Sequence, residues 1–89
     1  MTPRQIELAR HALGLPNRNN KSFRNRFIAG LQHPDYADWF GMVLDGNAEW
    51  RSGEKVPFGN DWLFWLTPAG AQKALRPGEQ LDKEDFPDV

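Results

Sequence analysis

At 89 residues the chain holds one domain with one modest core, because two cores of roughly 45 residues rarely offset their conformational entropy without staples. It contains no Cys, which excludes disulfides and Cys-based zinc or iron–sulfur sites and fits a reducing compartment, by default the cytoplasm. The net charge of −1 hides a segregation: residues 1–33 carry six Lys or Arg against Glu7 alone, and residues 34–89 carry five against eleven acids. Such asymmetry makes either a basic face that attracts phosphates or a merely solvated surface.

Met1-Thr2-Pro3-Arg4-Gln5 leads into a mixed polar segment, without the uninterrupted apolar stretch of a signal peptide or membrane span, so no membrane partner is expected. Thr2, Pro3 and Gln5 make a helix start: Thr as N-cap, Pro where a missing N–H costs nothing, and Gln completing a capping box. Ile6, Ala9 and Leu13 follow on one face, Gly14 supplies a left-handed stop and Pro16 forbids continuation. The pattern predicts a first helix over Pro3–Leu13.

Residues 16–22 are rich in turn formers and read as an exposed basic loop. Phe23 and Phe27 lie four apart, as on a helix or on one side of a strand. Asn25 and the aromatics favour extended structure, so a strand over 23–28, ended by Gly30, is expected. A second helix begins near His33-Pro34-Asp35 and ends at Gly46, with Tyr36, Trp39, Phe40, Val43 and Leu44 recurring at helical spacing.

Beyond Gly46, Ala48-Glu49-Trp50-Arg51 alternates and Trp62-Leu63-Phe64-Trp65-Leu66 is a dense β-forming run. Turn chemistry at 52–55 and 59–61 joins them into a hairpin with a long tip. Thr67 and Pro68 repeat the N-cap device and open a short helix through Ala71, Ala74 and Leu75 that Pro77-Gly78 ends. Residues 1–78 thus form an α+β domain of helix, strand, helix, β-hairpin and helix, and 79–89 an acidic tail with two apolar anchors, Leu81 and Phe86. Its predicted core is Ile6, Leu13, Phe27, Trp39, Phe40, Val43, Phe64, Leu66 and Leu75.

Alternation places Trp62, Phe64 and Leu66 on one side of the last strand and Leu63 and Trp65 on the other. One side meets the helices. The other is covered by Leu81 and Phe86 folding back, or it forms an apolar interface with a partner or a second copy of the chain.

The passage from Val43-Leu44-Asp45-Gly46 through Trp50-Arg51 to Leu66-Thr67-Pro68-Ala69-Gly70 resembles the helix-to-wing passage of winged-helix regulators. There a helix ends at Gly, a strand leads to the wing, and the return strand enters a Leu-Thr-x-x-Gly helix start, matched by Leu66, Thr67 and Gly70. The run from Arg24-Asn25-Arg26-Phe27 through Tyr36, Trp39, Val43 and Gly46 to Phe64, Leu66, Thr67 and Gly70 also resembles small phage- and prophage-encoded proteins, a group that implies no established activity. Residues 31–46 leave room for one useful helix where a regulator has two. That helix carries Asp35, Asp38 and Asp45 with no Lys or Arg, so the phosphate backbone opposes its entry into a major groove.

Nucleic-acid contact therefore falls to the basic group Arg18, Lys21, Arg24 and Arg26, whose interleaved Asn side chains add donors and whose Phe23 or Phe27 offers a ring for a base. Buried phenylalanines anchoring a strand give the same pattern. Arg51 and Lys55 on the wing add backbone contacts, opposed by Glu49 and Glu54. Trp62 and Trp65 are the candidate partner interface, for a host protein or a homodimer, and the acidic tail is either a docking element or a solvated terminus. His11 and His33 have no metal-ligand spacing, and no nucleophile elbow or phosphate-cradling Gly loop is present. The expectation is a non-enzymatic protein with no cofactor, metal or small-molecule substrate.

Overall fold

A computed structural model describes residues 1–30, 32–51 and 62–87. Three helices and three strands follow one another as α1 (Pro3–Leu13), β1 (Phe27–Ala29), α2 (Tyr36–Leu44), β2 (Ala48–Arg51), β3 (Trp62–Leu66) and α3 (Pro68–Ala74). The tip between β2 and β3, with Lys55, lies outside the described residues.

The capping box at the start of α1 forms as its residues require: the Gln5 N–H donates to Thr2 Oγ1 at 3.1 Å, and the Thr2 N–H donates to Gln5 Oε1 at 2.9 Å. Gly14 ends α1 at φ 80°, and the Phe23 ring occupies the space a side chain would take there, with Cε1 2.2 Å from an ideal Cβ. Ala9 and Leu13 of the predicted stripe are buried together with Leu8 and Ala12, whereas Ile6 is only partly buried. The helix packs against α3 and α2 together, so its covered face is turned away from Ile6, which lines a surface cleft instead.

β1 is a correction to the strand expected over 23–28. The chain before it is held to the end of α1, where the Phe23 N–H donates to the Leu13 carbonyl at 3.2 Å and the Arg26 N–H to the Ala12 carbonyl at 3.4 Å. Asn25 then takes the place of a ladder rung with its side chain: Leu66 N–H donates to Asn25 Oδ1 at 2.8 Å and Asn25 Nδ2 donates to the Leu66 carbonyl at 3.0 Å. Helix α2 likewise starts at Tyr36, not at His33. His33-Pro34-Asp35 is a turn closed by the Asp35 N–H on His33 Nδ1 at 3.0 Å, and the Asp35 carboxylate is engaged by Arg4 at 2.7 Å rather than by the helix N-terminus.

The sheet is antiparallel in the order β1-β3-β2. Phe27 stands opposite Phe64 and Ala29 opposite Trp62; Ala48 opposes Leu66, Glu49 opposes Trp65 and Trp50 opposes Phe64. The faces sort by alternation. On the helix side Trp39 stacks on Phe64 at 5.6 Å between ring centroids and lies 5.2 Å from Phe27, and Tyr36 meets Trp62 at 5.3 Å. Trp39, Met42, Phe64, Leu66 and Leu13 are fully buried, each contributing about 2 kcal/mol of transfer free energy before entropy is charged against it. Phe27, Phe40, Val43 and Leu75 pack around them, partly buried.

The opening of α3 docks on the turn after α2. Thr67 Oγ1 accepts from the Gly70 N–H at 3.1 Å and donates to the Gly46 carbonyl at 2.8 Å, while the Thr67 N–H donates to the Asn47 carbonyl at 3.1 Å. An ideal Cβ on Gly70 would stand 1.9 Å from that carbonyl oxygen, which is why Gly follows Leu-Thr-x-x here.

The acidic segment is not a solvated terminus through Phe86. Leu81 and Phe86 belong to the buried core, Gln80 bridges to Lys21, and the Asp82 N–H donates to Ser22 Oγ at 2.8 Å. These anchors join the cluster that contains Phe64 and Leu66, whereas Trp65 stands apart from it.

Candidate functional site

The basic residues of α1 differ from those of the loop and the strand edges. Those on α1 are neutralised internally: Arg4 pairs with Glu7 at 3.0 Å and Asp35 at 2.7 Å, and Arg10 pairs with Glu79. Among the described residues, Arg18, Lys21, Arg24, Arg26 and Arg51 have no carboxylate partner within ion-pair distance. Arg18, Lys21, Arg26 and Arg51 are exposed, and Arg24 is partly buried.

Local hydrogen bonding shapes this loop. Asn17 Nδ2 donates to the Gly14 carbonyl at 3.1 Å and to the Lys21 carbonyl at 2.7 Å, closing the turn that holds Arg18 and Lys21 outward. Arg24 spends one guanidinium N–H on the His11 carbonyl, at 2.7 Å, and lies over the Phe23 ring, 5.2 Å from its centroid. Phe23 is 61% exposed over Gly14, so it is not a buried anchor. Phe27 packs against the core, so the exposed ring of this pair is Phe23.

His11 and His33, 22 positions apart in sequence, flank the same Phe27 ring, each 5.7 Å from it edge-on. On one side of this trio lies a cleft of about 650 Å³ that Arg4, Ile6, Asp35 and Arg76 also line; beside it is a hollow of about 280 Å³ bounded by Arg24, Arg26 and Ile28. Sequence spacing gave no sign of this meeting, because it depends on how the turn before α2 crosses α1. No group of three or more His, Asp or Glu among the described residues is placed to hold a metal ion, and no helix there is long and apolar enough to cross a membrane.

The sheet separates the two tryptophans proposed as one partner surface. Trp62 lies on the helix side, stacked on Trp50 with centroids 4.5 Å apart and planes 12° from parallel, and touching Phe40. Trp65 lies on the opposite face beside Leu63, between Ile28 of β1 and Glu49 and Arg51 of β2. Both are partly buried. Leu63, which alternation already placed there, and Ile28, legible only through the register, complete this second face.

Comparison with known proteins finds no match to any protein-family model, to any curated protein or to any solved structure.

Proposed function

We propose that this chain is a small, non-enzymatic, winged-helix-like protein of phage or prophage type that binds nucleic acid in the cytoplasm through its basic loop and first strand. The observation that carries this reading is that Arg18, Lys21, Arg24, Arg26 and Arg51 have no carboxylate partner among the described residues, set against the paired arginines of α1. Charges left open to solvent can displace counterions from a phosphate backbone, whereas Arg10, already neutralised and buried, cannot. The order helix, strand, helix, hairpin, helix and the close docking of Gly70 support the winged-helix-like part of the reading. Acidic α2 takes no part in binding. Alanine at Arg18, Lys21, Arg24 and Arg26 together is expected to abolish nucleic-acid binding while leaving the circular dichroism and melting temperature near wild type; unchanged affinity would refute this assignment.

A second reading, a protein-interaction module for a host protein or a second copy, is favoured by the exposure of Leu44 (81%) on α2 and Trp50 (41%) on β2. It requires that Leu44→Ser reduce self-association or partner capture with nucleic-acid binding absent throughout.

A further inference from the structure

The face of the sheet turned away from the helices combines an aromatic ring with cations. Trp65 sits at the centre of it on the middle strand, with Leu63 two residues back along the same face and Ile28 opposite Leu63 on β1. These three side chains are partly buried and stand apart from the core cluster. Arg26 immediately precedes β1 and, with Ile28, lines the hollow at that edge of the sheet. Arg51, opposite Leu63, closes the other edge on β2. The aromatic and apolar strip thus lies between Arg26, just before β1, and Arg51 on β2, with Arg24 beside Arg26 in the same hollow.

We propose that this sheet face is a stacking platform for single-stranded nucleic acid, with Trp65 taking an unpaired base and Arg26 and Arg51 taking the flanking phosphates. The inference rests on the nucleic-acid reading above and names its substrate class. A duplex hides the faces of its bases in its own stack, so a flat ring on a sheet gains a stacking partner only from an unpaired strand. The occupant is a polyanion because the flanking cations have no carboxylate partner among the described residues, and because the acids Asp35, Asp38 and Asp45 lie with α2 on the helix side of the sheet. Glu49 is the one described carboxylate on the platform. It stands directly across from Trp65. Its charge opposes an incoming phosphate, so removing it strengthens binding on this account.

The test uses the whole chain, with labelled single-stranded DNA and RNA oligonucleotides and the matching hairpin duplexes, read by fluorescence anisotropy. Single strands are expected to bind at least about tenfold more tightly than duplexes. Trp65→Ala should weaken single-strand binding about tenfold, Trp65→Phe should restore most of the loss, and Glu49→Gln should tighten binding. Trp65→Phe keeps a ring in place, so it separates lost stacking from lost folding. Equal or tighter duplex binding, or a Trp65→Ala variant that folds and binds single strands as wild type does, overturns the platform while leaving the basic-surface reading standing. Absence of binding to every oligonucleotide at low salt overturns both.

Discussion

Arg10 and Glu79, far apart in the chain, form a two-pronged ion pair beneath the surface. Arg10 Nη2 donates to Glu79 Oε2 at 2.7 Å and Nη1 to Oε1, Nη1 also donates to the Ala74 carbonyl at 2.9 Å, and Glu79 Oε1 accepts from the Arg76 N–H at 2.7 Å. The side chains are 4% and 6% exposed, so the pair fastens α1, the end of α3 and the acidic segment together in a place water scarcely reaches. Glu79→Gln leaves a buried guanidinium without its counter-charge, and is expected to cost about 3 kcal/mol in denaturant unfolding. A loss under about 1 kcal/mol would mean the pair is solvated in solution.

Acid should act through the same pair. Hydrogen bonding from Arg10, foremost, with the Arg76 N–H and both positive charges, lowers the Glu79 carboxyl from the ordinary 4.5 to about 2 against the opposing effect of burial. The folded state binds its proton less readily than the unfolded chain does. The stabilisation is therefore complete above pH 4.5 and is lost as pH falls from there through about 2. Melting temperatures measured across that window should fall more steeply for wild type than for Glu79→Gln; parallel curves would show that other carboxyls govern acid unfolding.

Gly70 is fixed by contact, since any Cβ would collide with the Asn47 carbonyl oxygen. Gly70→Ala must push α3 off the turn that its Thr67 hydrogen bonds grip, with an expected loss of about 2 kcal/mol. Unchanged or raised stability would show that the two segments are farther apart than this contact requires.

Asn25 is the third structural test. Asn25→Ala strands both backbone groups of Leu66 at the start of the α3 approach, and is expected to cost about 2 kcal/mol. Asn25→Asp keeps the acceptor and removes the donor, so a stability between those of Asn25→Ala and wild type is expected from the same unfolding curves.

Much of this architecture is written in short-range chemistry. Thr2, Pro3 and Gln5 announce the start of α1, Thr67 and Pro68 that of α3, and the alternation from Trp62 to Leu66 sorts the two faces of β3. What was illegible is what depends on distant partners. Phe23 and Arg26 read as strand residues, but their N–H groups are claimed by the end of α1. Glu79 reads as one acid among several in a polar tail until Arg10 is seen across from it. The basic group was visible in the sequence as charge. Its lack of carboxylate partners among the described residues, and the placing of Arg51 opposite Leu63 on the face that holds Trp65, needed the structure.

The most direct test of the nucleic-acid reading is the salt dependence of binding to a short labelled single strand, measured by anisotropy. If the basic residues make the contact, the logarithm of the affinity should fall linearly with the logarithm of salt, with a slope of about −0.7 for each phosphate engaged. Alanine at Arg18, Lys21, Arg24 and Arg26 should flatten that slope. No binding at low salt, or a slope that the four substitutions leave unchanged, would contradict it.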